Sequence, residues 1–198
     1  MVWIQLYWEV GSMRTLFGPS GTFGIVLALA FAATIAPGQT GVRATVVPQA
    51  SRQAAQAFQL ADSSGTNKQV TDYRGKVVLL NFWATECGGC KLEIPWLIEL
   101  QSAHQTDSFT VVGVSLDTAY EGSKSVGEAW SKVKPFVLVH KLNYPVLMGD
   151  ASLITSYKLG AVPATFLIDK QGRIAATYSG IIDKSDVDSN INKLLAEQ

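Results

Sequence analysis

Residues 74–96 read RGKVVLLNFWATECGGCKLEIPW, and this stretch decides the fold. Residues 76–83 (KVVLLNFW) form a near-continuous apolar run of strand length, the pattern of a strand covered on both faces. Beyond the loop, residues 91–103 place Leu92, Trp96, Leu97 and Leu100 at the spacing of a helix with one buried stripe, kinked at Pro95. Both cysteines of the chain, Cys87 and Cys90, fall at the junction. At a helix start, cysteines three apart share a face and lie near the ~5.5 Å Cα separation that a disulfide needs. Cys87 can turn its sulfur toward unpaired backbone N–H groups, which stabilise the thiolate that attacks disulfides. Cys90, one turn deeper, is then the resolving thiol. Half of a zinc site and an inert structural disulfide are the competing readings. Zinc would need two further ligands, and the histidines, His104 and His140, are isolated in sequence.

Working outward, apolar runs alternate with helical patterns. Residues 58–60 and 68–70 flank Ser63-Ser64-Gly65-Thr66, a hairpin signal. Residues 109–116 (FTVVGVSL) read as a second buried strand, 132–142 as a helix that Pro135 bends or starts, 144–148 as a short strand and 152–158 as a short helix. Residues 164–168 and 173–179 read as an antiparallel pair turned by Asp169-Lys170-Gln171-Gly172, and 183–196 as a closing helix. Strands separated by helices, then a hairpin and a helix, make a mixed α/β sandwich.

Composition bounds the rest. Sixteen Lys+Arg against sixteen Asp+Glu leave no basic face for nucleic acid. At 47% hydrophobic and 16% charged residues, the chain is neither disordered nor a coiled coil. Residues 24–36 (GIVLALAFAATIA) carry no charge and follow Arg14, the layout of a secretory signal or marginal anchor. Small-x-small cleavage motifs end at Ala36 and Ala44, and Met13 is an alternative start. The expected organisation is a leader or anchor over 1–44, a polar tether over 45–56 and one domain over 57–198. Cleavage after Ala44 leaves one more acidic than basic residue. Export would place the cysteines in an oxidising compartment.

Residues 74–96 resemble the active-site segment of exported thioredoxin-like thiol–disulfide oxidoreductases of the TlpA/ResA type, in the redoxin (AhpC/TSA) superfamily. Arg-Gly-Lys, an Asn-Phe-Trp-Ala strand end and Cys-x-x-Cys recur there. A second match is Gly160-Ala161-Val162-Pro163-Ala164-Thr165-Phe166-Leu167-Ile168-Asp169. The resemblance covers about residues 58–195. It implies a thioredoxin-like three-layer α/β sandwich, a central mixed sheet flanked by helices, with an N-terminal β-hairpin extension. It also implies a cis Pro163 facing the cysteines, with Val162, Pro163 and Thr165 in the substrate-binding loop. Three positions depart from common patterns: Glu86 replaces a Trp, Gly89 replaces a Pro, and Asn81 stands where cytosolic thioredoxins carry a proton-accepting Asp. Glu86 and Glu93 are therefore the candidates for proton transfer.

The expected activity is disulfide exchange, with Cys87 attacking and Cys90 resolving. The resemblance favours reduction of disulfides in exported proteins, apocytochrome c for example, by a monomer fed from a membrane electron donor. No cofactor or metal is required, and membrane contact is confined to the N-terminal segment. One rival is a peroxiredoxin-like peroxidase, which wants Thr-x-x-Cys and a nearby arginine. Here Thr85 is two residues before Cys87, and no arginine lies between Arg74 and Arg173. The other rival, a copper metallochaperone, typically spaces its cysteines one residue wider.

Overall fold

The computed structural model describes residues 41–105 and 108–197 of the 198-residue chain. The leader or anchor read from the sequence lies outside them as far as residue 40. The hairpin pairs β1 (Gln59–Ala61) with β2 (Asn67–Gln69), antiparallel. The main sheet comprises β3 (Val77–Trp83), β4 (Phe109–Ser115), β5 (Val146–Met148), β6 (Ala164–Ile168) and β7 (Ile174–Ser179), in the order β5-β4-β3-β6-β7. β3 runs parallel to β4 and β4 to β5, whereas β6 is antiparallel to both β3 and β7. The sheet is therefore mixed, with β3 at its centre.

The helices are α1 (Gly88–Ala103), α2 (Asp117–Tyr120), α3 (Val126–Val139), α4 (Ala151–Ser156) and α5 (Lys184–Ala196). Strand alternation splits the core into two layers. Val77, Leu79 and Trp83 pack in one cluster with Ile94 and Leu97 of α1, Val133 of α3 and Ile191 of α5. Val78, Leu80 and Phe82 pack on the opposite side with Leu153 of α4 and with Phe58 and Leu60 at the hairpin. Every residue of β3 is buried, as its unbroken apolar run requires.

α3 starts six residues before the sequence reading placed it. Ser125 caps it, its side chain accepting from the Glu128 N–H, and Pro135 sits inside the helix on its exposed side. A Ser-x-x-Glu start signal outweighed an apolar pattern that begins later. The single turn α2 has no apolar periodicity to announce it.

The stretch 45–56, read as a polar tether, lies on the domain instead, as do residues 41–44, grouped with the leader. Val42 bridges Ile182 in parallel, and its N–H donates to the Ile181 carbonyl at 2.7 Å. The Val47 N–H donates to the Ala175 carbonyl at 2.8 Å. Arg52 is buried: its guanidinium donates to Asp169 at 3.1 Å and forms a two-pronged pair with Glu197 at 2.6 Å on each prong. A buried guanidinium is tolerable only against counter-charges. These come from residues 117 and 145 positions away, which composition cannot reveal.

Candidate active site

β3 delivers the chain into the loop Ala84-Thr85-Glu86, and α1 starts immediately after Cys87. Cys87 is the N-cap of α1: its Sγ accepts from the Cys90 N–H at 3.1 Å. The two cysteines form a disulfide, with Cα atoms 5.3 Å apart. Cys87 is half-buried and Cys90 fully buried, so only the first of the two residues reaches the surface. The N–H that meets Sγ in the disulfide is also placed to stabilise a Cys87 thiolate.

The Val162–Pro163 peptide is cis. A Cβ added at Gly89 would stand 3.3 Å from both Pro163 Cδ and Ile181 Cγ1, so the proline loop lies directly on the cysteine turn. Only glycine admits so close an approach without displacing a neighbour. An open groove of about 450 Å³ runs beside the pair, walled by Glu86, Cys87, Tyr120, Glu121 and residues 160–162. Val162 belongs to this groove. Thr165 does not: it is fully buried, pairs with Asn81 in the β3–β6 register and accepts from Asn81 Nδ2 at 2.9 Å. The period of two along β6 turns it inward, away from any docking partner.

The two candidate carboxylates part company. Glu86 is exposed and pairs with Lys91 at 3.3 Å. Glu93, one turn past Cys90 on the buried face of α1, has no exposed surface. Asn81 Nδ2 donates to its Oε1 at 2.6 Å and the Ile182 N–H to its Oε2 at 3.3 Å. Burial pushes the Glu93 carboxyl up to about 7, against the opposing pull of those two donors. Asn81, unable to take a proton, instead steers the acid that can.

Sequence reasoning missed Asp117. It is fully buried just past β4 and accepts from the Thr85 hydroxyl, from the Thr85 N–H at 3.2 Å and from Ser115 Oγ at 2.7 Å. The loop that presents Cys87 is thereby fastened to the end of the neighbouring strand. A carboxylate ending an apolar strand was the available signal, but nothing local ties residue 117 to residue 85.

The other polar candidates lie elsewhere. His104 pairs with Asp188 at 2.6 Å, and His140 stacks on Phe136 with ring centroids 4.1 Å apart. Arg43 binds Asp183, Arg52 and Arg173 both bind Asp169, and Arg74 donates to the Gln171 carbonyl. Among the described residues, no three His, Cys, Asp or Glu side chains gather into a metal-binding group.

A mixed sheet between helices, a disulfide at the head of α1 and a proline loop laid across it define a thioredoxin-fold protein of dithiol–disulfide exchange. The chain belongs to the AhpC/TSA family, whose profile matches residues 51–177. It is similar to the thiol-disulfide oxidoreductase ResA of Geobacillus thermodenitrificans, 32% identical over 138 residues, which cover 69% of this chain and 74% of that one. It is also similar to the thioredoxin-like protein YneN of Bacillus subtilis, 30% identical over 71% of this chain and 78% of the relative. Among solved structures, the exposed lipoprotein thioredoxin Etrx1 of Streptococcus pneumoniae superposes with a TM-score of 0.58 at 26% identity, over 70% of this chain and 100% of that one. The protein is a thiol–disulfide oxidoreductase.

Proposed function

We propose that the protein is an exported disulfide reductase in which Cys87 attacks, Cys90 resolves and Glu93 takes the resolving thiol's proton. In the reduced protein the Cys87 thiolate, held at the head of α1, attacks a disulfide of the partner and expels one partner sulfur as thiolate. Glu93 accepts the Cys90 proton. The Cys90 thiolate then attacks Cys87 Sγ, closes the internal disulfide and releases the second partner sulfur. Two electrons pass to the partner. The observation that carries this reading is the asymmetry of the pair: a half-exposed sulfur at the helix terminus, and a buried one a single turn from a carboxyl that titrates near neutrality.

Exported proteins that contain disulfides, apocytochrome c among them, are the proposed partners, and a membrane electron donor returns the protein to its dithiol form. Export is supported by the uncharged run at residues 24–36. Of the two cleavage motifs, the one ending at Ala36 keeps Val42 and Arg43, which dock on the domain. No helix among the described residues is long and apolar enough to cross a membrane.

Expressed in its own host, a Cys90→Ser variant should accumulate mixed disulfides through Cys87, identifiable by mass spectrometry. Cys87→Ser should trap nothing and reduce no insulin disulfides. Trapping through Cys90 in the Cys87→Ser variant, with none in Cys90→Ser, would reverse the two roles.

A further inference from the structure

The groove beside the disulfide has two walls that come from different strands. One is the loop after β3, with Ala84, Glu86 and Cys87; the other is Tyr120 and Glu121, at the end of α2. A helix of one turn makes too few bonds of its own to hold a position. α2 is four residues long and depends on what ties it down. The Leu116 N–H donates to the Trp83 carbonyl at 2.8 Å, the Thr118 hydroxyl to the Gly149 carbonyl at 2.6 Å, and the Tyr120 N–H to the Leu116 carbonyl at 2.9 Å.

Asp117 belongs to both walls. It is the first residue of α2, and its carbonyl accepts from the Glu121 N–H at 3.2 Å. Its carboxylate reaches the other way, into the turn that precedes Cys87. There it meets three donors: the hydroxyl and the N–H of Thr85, and the hydroxyl of Ser115. A carboxylate offers only acceptors and can satisfy all three at once, whereas an amide would turn a donor toward one of them. Thr85, Ser115 and Asp117 are all buried, so the three donors have no water to turn to. Among the described residues, Asp117 is the only side chain from outside residues 84–91 that hydrogen-bonds to the loop 84–87. The loop that carries the reacting sulfur therefore has one side-chain fastener, and that fastener also begins the opposite wall.

We propose that Asp117 is a positioning residue for disulfide exchange, which sets the opening of the groove by fixing the Cys87 loop and α2 to each other. The proposal rests on the reading of Cys87 as the attacking sulfur. Attack needs the partner disulfide in a near-attack geometry with Cys87. A small disulfide can reach that geometry from many directions. A protein disulfide brings its chain with it, and the chain has to enter between Cys87 and Tyr120. The spacing of the walls therefore governs docking of protein partners and matters much less to small ones. The covalent step is the one already described. Asp117 touches neither sulfur and exchanges no proton with either.

Three variants test this. Thr85→Val keeps the shape of the side chain and removes its hydroxyl, Thr85→Ser keeps the hydroxyl, and Asp117→Asn exchanges one acceptor for a donor. Steady-state reduction of insulin, with dithiothreitol as electron donor, gives kcat and KM. Single-turnover mixing of the reduced protein with an aromatic disulfide, whose thiol absorbs visible light, gives the rate with a small partner. Thr85→Val and Asp117→Asn should each raise the KM for insulin roughly fivefold, the worth of one hydrogen bond, and change kcat less than about twofold. The aromatic disulfide should slow by less than about twofold, and Thr85→Ser should show the wild-type KM. Equal slowing with both substrates would place the effect in the fold or in the sulfur itself and overturn the proposal. So would a wild-type KM for insulin in both Thr85→Val and Asp117→Asn, or a Thr85→Ser variant as impaired as Thr85→Val. If Asp117→Asn does not fold, the two Thr85 variants decide. Full insulin reduction by Cys87→Ser would remove the reading of Cys87, and the proposal with it.

Discussion

Two buried charged groups sit at opposite ends of β6, and the protein treats them differently. Beyond its C-terminal end, Arg52 lies between Asp169 and Glu197, while Arg173 also binds Asp169, so every charge there meets an opposite one. The arginine's hydrogen bonds hold the Glu197 carboxyl below the usual carboxylate range, and those with Glu197 hold the guanidinium above its own. Near the other end, Glu93 is equally hidden, but its hydrogen bonds come from an amide and a backbone N–H, neither of them charged. Its carboxyl is pushed up to about 7 as a result. A buried charge with a counter-ion is locked into one protonation state and stabilises the fold. A buried acid without one is held where it can gain and lose a proton, and it makes the fold weaker at high pH.

The comparison breaks first at Arg52. Arg52→Met takes the counter-ion from Glu197 and leaves Asp169 with Arg173 alone, and should cost about 3 kcal/mol of stability, the lower end for a broken buried pair. The rate of disulfide reduction per folded molecule should stay unchanged, because the clasp lies at the other end of the sheet. Thermal unfolding beside single-turnover kinetics checks both, and a variant as stable as wild type would show that the clasp is ornamental. The pH sign is set by Glu197: with a folded value depressed below 4.5, its contribution is present above that pH and fades as pH falls through the folded value.

Glu93→Gln should move stability the opposite way. Glu93 has a folded value near 7 against an ordinary 4.5, so the wild-type protein loses stability as pH rises between those limits. The variant escapes that loss. Denaturant unfolding should show it more stable at pH ~8, by up to roughly 3 kcal/mol, and no more stable at pH ~4. A variant less stable than wild type at the higher pH would contradict the picture of an uncompensated acid.

The smallest effect belongs to Glu86. Its exposed carboxylate stands beside Cys87 and shares its charge with Lys91. Glu86→Gln should lower the Cys87 thiol pKa by less than about one unit and make the redox potential less negative, with both shifts shrinking in high salt. Thiol titration at two ionic strengths measures this. A shift larger than that from Glu93→Gln would place the controlling acid at the surface rather than in the core.

What could be read in advance was local. The unbroken apolar run at residues 76–83 specifies a doubly covered strand. Two cysteines at the head of the next helix specify which sulfur is exposed, because a helix terminus offers its N–H groups to its first residue and hides the residue one turn in. Glu93 was legible as a candidate through its spacing from Cys90, but not as the stronger of two carboxylates. That depended on burial and on Asn81 and Ile182, brought to it from 12 and 89 residues away. Pairing across 117 and 145 residues turned a polar stretch into the clasp at Arg52. A carboxylate just past β4 fastened the cysteine loop, and a glycine within β4 opened the space over which Trp83 and Tyr144 meet. Periodicity and capping act within a few residues, so sequence alone determined the elements and the reacting atoms. Desolvation and charge pairing depend on neighbours far along the chain, so only the tertiary structure decided which acid is buried and which stays in water.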